Sequence, residues 1–420
     1  TSSAASDVYK RQMQDTLTII LAGGVGSRLH PLTEDRAKPA VPFGGKYRII
    51  DFTLANCLHS DMRKILVLTQ YRSHSLHKHL RDGWSIFNPE LGEYITAVPP
   101  QMRKGGEWYA GTADAIYQNM FLLQRSHARN VLVLSGDHIY RMDYAAMLEF
   151  HQQQDADVTI ACMKVSREEA GSFGIVGIDE TGRITAFEEK PDSPQGIPGD
   201  PEHCLASMGI YIFSMELLQQ ALVSDHEDSE SDHDFGHDIL PRLISSHKVY
   251  AYRFGKSTGR VSPDNYWRDV GTIDSYYEAN MDLLEPVPSL NLYQDDWPIR
   301  TYQSQPPPAR TVPGASGSEG VFINSIVAGG TIIAGGSVQH SVLFPRVHIG
   351  DEAVVRNAIL FEGVEVGSNA RLDNCIIDKE VSIPPGETIG VDRDRDAQRF
   401  TISPRGVVVV PRGYRFGNGG

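Results

Sequence analysis

The C-terminal third of the chain carries a repeat with a period of 17 residues. Aliphatic residues recur at three positions of each period, in steps of 6, 5 and 6 residues. These positions are Ile326, Leu343, Leu360 and Ile377; Ile332, Ile349, Val366 and Ile383; and Val338, Val355, Leu372 and Ile389. Three short strands per period, each with one inward aliphatic side chain, are typical of a parallel β-helix of hexapeptide type. An ordinary β-sandwich would not hold one register over four coils.

The first two-thirds of the chain alternates apolar, strand-like runs with helical patterns. The strand-like runs are Leu17–Leu21, Lys64–Gln70, Asn130–Asp137 and Ala156–Val165, and the helical patterns include Thr112–Ser126 and Tyr144–Gln154. This alternation predicts an α/β, Rossmann-like domain with a mixed, mostly parallel sheet that is covered on both faces. The stretch Phe173–Pro191 alternates with period two and predicts a hairpin. Ligands of such sheets bind beyond the carboxyl ends of the strands.

Charge and composition exclude several classes of function. The net charge of −14 disfavours nucleic-acid binding, so an anionic ligand has to be met by local cations. No apolar run approaches the roughly 18 residues of a membrane span. The four cysteines show no CxxC spacing, which indicates free thiols in a reducing compartment, and we expect the protein in the cytoplasm. The polar residues before Leu17 lack the apolar core of a signal peptide.

The stretch ILAGGVGSRL follows the first apolar run and is rich in glycine. Gly23, Gly24 and Gly26 leave backbone N–H groups free, and a following helix N-terminus adds partial positive charge, which favours phosphate. Arg28 and Lys38 add two cations. The spacing is not that of a Walker loop, and it is not a dinucleotide fingerprint. A tight structural turn with two solvated cations is the alternative on this motif alone.

Further motifs accompany this loop in a fixed order. They are RAKPAVPFGGKYRIIDF, TQYRSHSL, WYAGTADAIYQN, LSGDHIYRMDY, FGIV, FEEKP, ASMGIYIF, DFGHDILP and YWRDVGT. With these motifs the chain resembles the sugar-nucleotide pyrophosphorylases over roughly residues 17–284, and within them the bacterial glucose-1-phosphate adenylyltransferases. That family carries a C-terminal left-handed β-helix, in agreement with the repeat.

The resemblance implies a reaction and a domain organisation. The reaction is ATP + α-D-glucose 1-phosphate = ADP-glucose + diphosphate, with Mg²⁺, supplying the glucosyl donor for glycogen synthesis under allosteric control. We expect a homotetramer without nucleic-acid or membrane partners. The expected segments are a disordered or artefactual tail over 1–16, a nucleotidyltransferase catalytic domain over 17–290, a linker over 291–320 and the left-handed β-helix with its C-terminal tail over 321–420.

The resemblance also assigns roles to individual residues. Asp137, which follows an apolar strand, matches the family's essential metal-binding aspartate, and Asp269 matches the second one. The remaining assignments are Arg28 and Lys38 as catalytic cations; Ala22, Gly23, Gly24, Gly26 and Gln70 at ATP; Tyr109, Gly174, Glu189, Lys190 and Ser207 at glucose 1-phosphate; and Lys46, Arg48, Arg399 and Arg405 as effector-binding cations between the domains. Some relatives have Arg and Lys where Val25 and Asp35 stand here, so the effector is not implied.

Three other interpretations stay open at this point. They are a catalytically inactive regulatory subunit, a hexapeptide-repeat acyltransferase, and a nucleotidyltransferase that uses UTP, dTTP or GTP. Two histidine-rich stretches resemble metal clusters, but we expect both to be exposed surface. They are SHSLHKHL, with His74, His77 and His79, and the loop 224–238, in which Asp234 is expected to cap a helix.

Overall fold

The computed structural model describes residues 13, 15–100, 108–255, 260–261 and 265–417. Most of the expected tail, residues 1–16, lies outside these residues. Its end does not: Met13 is buried in the core, and Thr16 already belongs to the first strand. The catalytic domain therefore begins before residue 17.

The N-terminal domain consists of a central mixed sheet with helices on both faces. Its strands are β1 (Thr16–Ala22), β2 (Pro42–Phe43), β3 (Tyr47–Arg48), β4 (Lys64–Thr69), β5 (Tyr94–Val98), β6 (Asn130–Ser135), β7 (His138–Tyr140), β8 (Val158–Ser166), β9 (Gly174–Ile178), β10 (Ile184–Glu189), β11 (His203–Ser214), β12 (Val249–Arg253) and β13 (Trp267–Asp269). Its helices are α1 (Ile49–His59), α2 (His74–Trp84), α3 (Thr112–Tyr117), α4 (Met120–Ser126), α5 (Tyr144–Gln153), α6 (Met215–His226), α7 (Leu240–Ile244) and α8 (Ile273–Met281).

The central sheet has the order β10-β9-β11-β6-β1-β4-β5, and β8 and β12 extend it from β11. Strands β6, β1, β4 and β5 are parallel, and β11 runs antiparallel to β6. Alternate residues of β1 enter two different cores: Ile20 packs on one face of the sheet and Ile19 on the other. The mixed α/β sheet covered on both faces is thus confirmed, and so is the hairpin, formed by β9 and β10.

The helical pattern of residues 112–126 forms two helices, α3 and α4, and not one. Asn119 lies between them, and its side-chain amide donates to the Ala115 carbonyl at 2.9 Å and to the Tyr109 hydroxyl at 3.0 Å. An asparagine side chain that bonds to the backbone in this way competes with the helix ladder.

The C-terminal domain is a parallel β-helix in which each strand pairs with the strand one coil further along. Its strands are β14 (Arg310–Val312), β15 (Val321–Ile323), β16 (Ile326–Val327), β17 (Ile332–Ala334), β18 (Ser337–Gln339), β19 (Val342–Leu343), β20 (His348–Ile349), β21 (Val354–Leu360), β22 (Glu365–Val366), β23 (Arg371–Ile377), β24 (Ser382–Ile383), β25 (Thr388–Ile389), β26 (Thr401–Ile402) and β27 (Val408–Val410). After β25 the coil is interrupted by the short helix α9 (Arg393–Ala397).

Ten of the twelve predicted inward residues are buried in the core of the β-helix. The other two predictions, Ile326 and Ile332, are wrong by one residue. Val327 pairs with Leu343, and the buried Ile333 pairs with Ile349, so these residues take the inward positions. The spacing here is 16 residues because the corner at Gly335, where φ is +74°, is one residue shorter than the later corners.

The two domains are joined by a continuous apolar core and by polar contacts. Phe344 and Phe361 of the β-helix belong to the same buried cluster as Tyr276 of α8. Arg36 forms a buried ion pair with Asp378 at 2.8 Å, and the hydroxyl of Tyr277 donates to the Asn357 carbonyl at 2.7 Å. Within the described ranges, every helix is too short or too polar to cross a bilayer.

Candidate active site

The glycine loop follows β1 at the carboxyl edge of the parallel strands. Gly24 and Val25 are exposed, and Gly26 adopts a left-handed conformation with φ +64°. The carbonyl of Gly26 accepts a hydrogen bond from the Thr33 hydroxyl at 2.9 Å. The helix expected after the loop is a single 3₁₀ turn, Ser27–Leu29, so it supplies little helix dipole, and an anion here depends on backbone N–H groups and side-chain cations.

Two carboxylates converge on one lysine at the same edge of the sheet. The Nζ of Lys38 lies 2.9 Å from Oδ2 of Asp137 and 2.8 Å from Oδ1 of Asp269. The hydroxyl of Ser135, at the end of β6, donates to the other oxygen of Asp137. The Lys38 side chain is 8% exposed, whereas the carboxylates are partly open at 28% and 32%. Three residues that are far apart in the sequence therefore form one charged centre.

The charges of this centre stabilise one another. Burial alone would raise the pKa of Asp137, but the neighbouring charges of His138 and Lys38 and the hydrogen bond from Ser135 hold it well below its usual range. Burial alone would lower the pKa of Lys38, and the charges of Asp137 and Asp269 raise it instead. These shifts favour an ionised Asp137 and a protonated Lys38 at neutral pH.

His138 is a site residue that the sequence analysis missed. Strand β13 pairs with β7 so that Asp269 lies opposite His138, whose Nε2 is 3.4 Å from Oδ1 of Asp137 and 3.9 Å from Oδ1 of Asp269. Trp267 packs edge-on against its ring. Among the described residues, Asp137, His138 and Asp269 are the group whose donor atoms lie close enough to share a metal ion. The position of His138 directly after Asp137 is the sequence signal that could have identified it as a site residue.

Arg28 lies in the turn that follows the glycine loop, and Gln70 lies beside Gly23. The guanidinium of Arg28 is 3.3 Å from the position that a Cβ would take on Gly271, next to the Asp269 carboxylate. The side chain of Gln70 contacts Gly23 and donates to the Tyr109 carbonyl at 3.4 Å. Ala22 is buried at the end of β1. The predicted ATP-side residues are thus brought together around the loop.

The predicted sugar-side residues lie on β9, at the end of β10, on β11 and on the segment before α3. A Cβ on Gly174 would be 2.7 Å from Cζ of Phe187 and 2.8 Å from Oε2 of Glu189, so a larger residue here would push against both side chains. Lys190 follows with φ +48°, and its Nζ is 3.3 Å from Oε1 of Glu189. Ser207 stands at a bulge of β11.

The loop 224–238 fastens these segments to each other. Asp234 accepts from the Thr112 hydroxyl at 3.0 Å and from the backbone N–H of Gly236 at 2.8 Å, so its capping role is confirmed. A Cβ on Gly236 would be 3.3 Å from Oε2 of Glu189. Within the loop, the buried Asp225 accepts from the ring of His233 at 2.8 Å. The expectation of an exposed surface holds for Glu227, Glu230, Asp232 and His237 but is wrong for the buried Asp225 and Asp238.

The expectation for the histidines of α2 holds for His74, which is exposed, but is wrong for His79. His79 is buried and pairs with Asp51 of α1 at 2.5 Å, and His77 bonds the Thr69 hydroxyl at 2.8 Å. These contacts join α2 to the core because a polar group that leaves water needs a partner.

The four predicted effector cations lie in two places. Lys46 and Arg48 line a cavity of about 540 Å³ between the domains, which Lys379 of the β-helix also lines. Arg399 is engaged with Glu387 and Asp396, and Arg405 with Glu278 of α8. The structure does not bring these last two residues to the cavity.

Comparison with known families agrees with this architecture. Residues 17–286 match the nucleotidyl transferase family, and residues 307–410 match the GlmU-like C-terminal hexapeptide family, as expected for a left-handed β-helix. The fold and the match define a nucleotidyltransferase with a hexapeptide-repeat domain.

Named relatives show which family within this class the chain belongs to. The chain is 68% identical over 404 residues to glucose-1-phosphate adenylyltransferase 2 of Vibrio vulnificus (strain CMCP6), covering 96% of this chain and 100% of the relative. It is 65% identical to the protein of the same name from Vibrio cholerae, at 96% and 99% coverage, and 46% identical to glucose-1-phosphate adenylyltransferase of Methylobacillus flagellatus, at 94% and 93%. The chain belongs to the glucose-1-phosphate adenylyltransferase family.

Proposed function

We propose that this protein converts ATP and α-D-glucose 1-phosphate into ADP-glucose and diphosphate, and so supplies the glucosyl donor for glycogen synthesis. The observation that carries the proposal is the centre of Asp137, Asp269 and Lys38 beside the glycine loop, in a chain with full-length relatives of that name. An inactive regulatory subunit would not need this centre to be complete.

The reaction needs position and charge compensation more than a protein nucleophile. A phosphate oxygen of glucose 1-phosphate attacks the α-phosphorus of ATP, and the bond to the β-phosphate bridging oxygen breaks with its electron pair on diphosphate. The attacking phosphate has its second pKa near ~6 and is already an anion at neutral pH. The protein therefore has to hold two anions together and stabilise the negative charge that leaves.

We assign this task to the residues of the two halves of the site. Arg28 and Lys38 meet the nucleotide phosphates beside Gly23, Gly24 and Gly26, and Gln70 lies by the adenine. Lys190 binds the sugar phosphate. Around the glucose, we assign Glu189 to the sugar hydroxyls and Tyr109, Gly174 and Ser207 to the walls of the pocket.

Asp137 and Asp269 fit a divalent cation, and we propose Mg²⁺. Their oxygens already converge on one positive charge, the Nζ of Lys38, and carboxylate oxygens are the ligands that Mg²⁺ prefers. When bound, the ion would neutralise charge on the leaving diphosphate.

The test is release of diphosphate with each nucleoside triphosphate against each sugar 1-phosphate. We expect ATP with glucose 1-phosphate to be the best pair by far and EDTA to abolish turnover. A few-fold preference for UTP or dTTP would contradict the assignment, and so would activity that persists without a divalent metal.

We also propose that a phosphorylated metabolite of central carbon metabolism activates the enzyme from the interdomain cavity. Burial and the neighbouring charges of Arg48 and Arg36 lower the pKa of Lys379. An anion bound in the interdomain cavity would therefore reduce the repulsion among these cations. The screen comprises fructose 6-phosphate, fructose 1,6-bisphosphate, pyruvate, 3-phosphoglycerate, AMP and phosphate. Lys46→Gln should raise the half-activating concentration at least severalfold and Arg399→Gln should not; a chain inert to all six compounds would refute the proposal.

The assembly and the compartment are proposals of the same kind. A homotetramer is supported by the first coil of the β-helix, whose edge strand β15 exposes Val321, Phe322 and Ile323. A monomer in light scattering at micromolar concentration would refute it. A cytoplasmic location is supported by four free, buried thiols, since cysteines stay reduced there. Fractionation of the source cells would test the location.

A further inference from the structure

The feature that the proposed reaction leaves unexplained is the position of Lys38. Its ammonium does not point at the open glycine loop, where the nucleotide phosphates would lie. It lies between Oδ2 of Asp137 and Oδ1 of Asp269, at 2.9 and 2.8 Å. These are two of the oxygens that a divalent ion would need as ligands.

We propose that Lys38 is a resident counter-ion of the metal site, which excludes a free divalent cation and is displaced only when the metal arrives together with the nucleotide. The inference rests on the proposed function, because it concerns the same carboxylates and the same substrate.

The hydrogen bonds of the two carboxylates show why the lysine and the metal are alternatives. The second oxygen of Asp137 already accepts from Ser135, so Oδ2 is the oxygen left for a cation. An ammonium within 3 Å of these oxygens and a metal ion would compete for the same two carboxylates and would repel each other as like charges. One of them has to leave before the other can bind.

The local backbone restricts where the ammonium of Lys38 can move when it leaves the carboxylates. Lys38 opens a 3₁₀ turn whose second residue is Pro39, and all three residues of the turn are buried, so the stem cannot swing freely into solvent. The Cβ of Lys38 lies 3.2 Å from the position of a Cβ on Gly26. The glycine loop is thus beside the stem, and an ammonium that leaves the carboxylates meets the phosphates bound there.

The balance of charge favours this exchange over binding of the metal alone. With Lys38 in place, the carboxylates of Asp137 and Asp269 carry a net charge of about −1. A free divalent ion would leave the ammonium buried and unpaired, which is costly. A metal–nucleotide complex brings the anion that takes up the ammonium, so both cations stay paired. Lys38 therefore couples metal entry to nucleotide entry.

The test is binding of Mn²⁺ alone, without nucleotide, to the full-length protein, measured by electron paramagnetic resonance of the free ion. Lys38→Met should tighten Mn²⁺ binding at least about tenfold, equivalent to ~1.4 kcal/mol. Lys190→Met is the matched control, since that lysine pairs with Glu189 on the sugar side, and it should leave the affinity within twofold. Adding Asp137→Asn to Lys38→Met should remove the gain.

Unchanged or weaker Mn²⁺ binding by Lys38→Met overturns the inference, as does a gain that survives Asp137→Asn. Because this readout is independent of turnover, the inference can fail while diphosphate release by the unchanged enzyme still supports the proposed function.

A second measurement uses the unchanged protein, so its result does not depend on whether the variants fold. Amine labelling mapped by mass spectrometry should be severalfold slower at Lys38 than at the exposed Lys190, and adding Mn²⁺ without nucleotide should leave the ratio of the two rates unchanged. A labelling rate at Lys38 that rises severalfold with Mn²⁺ alone overturns the inference, because the free ion would then displace the ammonium.

Discussion

At the scale of single residues, the proposed assignment separates groups that would meet the transferring phosphorus from groups that would hold the sugar phosphate. Asp137, Asp269 and Lys38 form a buried or half-buried charged centre at the end of β6 and β13. Lys190 is 64% exposed at the end of β10 and touches only Glu189 among the ionic partners described. Changes in the two groups should therefore have different kinetic signatures.

Asp137→Asn removes the charge that a metal needs and keeps the size of the side chain. The lost interaction matters most in the transition state, so kcat should fall by about 10²–10⁴-fold while the KM for ATP stays near its original value. Steady-state kinetics measure both, with Glu180→Gln in an exposed turn as the control. A kcat within tenfold of the original would remove Asp137 from the catalytic centre.

On the proposed assignment, Lys190→Gln removes a cation that would bind the sugar phosphate in the ground state and the transition state alike. A contact that is equally strong in both states changes KM and not kcat. The KM for glucose 1-phosphate should therefore rise by roughly 10²-fold for a lost contact of ~3 kcal/mol. The KM for ATP should hardly change, and Lys164→Gln on the exposed part of β8 is the control. A raised KM for ATP with an unchanged KM for the sugar phosphate would reverse the assignment of the two halves.

His151 of α5 links stability to acid pH. It is buried, its Nδ1 bonds the Thr159 hydroxyl at 2.8 Å, and burial lowers its pKa to about 4. Between pH 6.5 and about 4 the unfolded chain binds a proton that the folded chain refuses, so the unfolding free energy falls across this window, by up to about 3 kcal/mol.

His151→Gln should therefore reduce the loss of Tm between pH 7 and 4.5 in calorimetry. His348→Gln, on the exposed side of β20, should leave that loss unchanged. An equal loss of Tm in His151→Gln and the unchanged protein would contradict this account.

The sequence motifs predicted which residues form the centre, but not how they contact each other. Lys38 and Asp137 are 99 positions apart, and Lys38 and Asp269 are 231 apart. Such contacts depend on how β13 pairs with β7, which no local pattern encodes. The burial of His79 was missed for a similar reason, because its partner Asp51 lies on another helix.

At the scale of elements, the β-helix was the most predictable part, because each coil repeats the same inward positions. The prediction failed only in the first coil, at Ile326 and Ile332. Adjacent aliphatic residues, Ile326–Val327 and Ile332–Ile333, satisfy the pattern in either register. The shorter corner at Gly335 selects the register in which Val327 and Ile333 point inward. A period averaged over four coils does not reveal that one corner lacks a residue.

Leu360→Ala should loosen the middle of the β-helix. The side chain is fully buried and stacks on Ile377 of the next coil, so the cavity should cost about 2–5 kcal/mol. Hydrogen exchange of peptides from β21 and β23 measures the local loss of stability. A global unfolding measurement on a multidomain chain would not report that loss separately. Arg356→Ala, on the exposed side of the same strand, should stay within about 0.5 kcal/mol. Equal exchange in both variants would contradict the inward stack.

At the scale of the whole molecule, the domains share a core and are not independent bodies on a tether. Phe344, Phe361 and Ile376 pack into the cluster that also contains Tyr276 and Leu284. The sequence predicted the two folds separately. It did not predict this contact, because an apolar residue on the outside of a coil has the same pattern whether it faces a domain or another subunit.

Deleting everything after Gly320 should therefore cost solubility or assembly as well as regulation. The deletion would expose the apolar face of the catalytic domain and remove Asp378, the ion-pair partner of Arg36. Sedimentation and effector titration of the fragment measure the outcome, with the full-length chain as the control. A soluble fragment with the full effector response would contradict the shared core.

The polar bridges between the domains also fix how many coils the β-helix has. Tyr277 bonds the backbone at Asn357, Arg36 reaches Asp378 one coil further, and Ser403 bonds Asp274 beyond that. A duplicated coil inserted between Asn357 and Asp378 would preserve every inward residue, yet it would carry Asp378 about 4.8 Å along the axis, out of reach of Arg36. The contacts with the catalytic domain therefore set the number of coils between Asn357 and Ser403, although the repeat itself would accept another coil there.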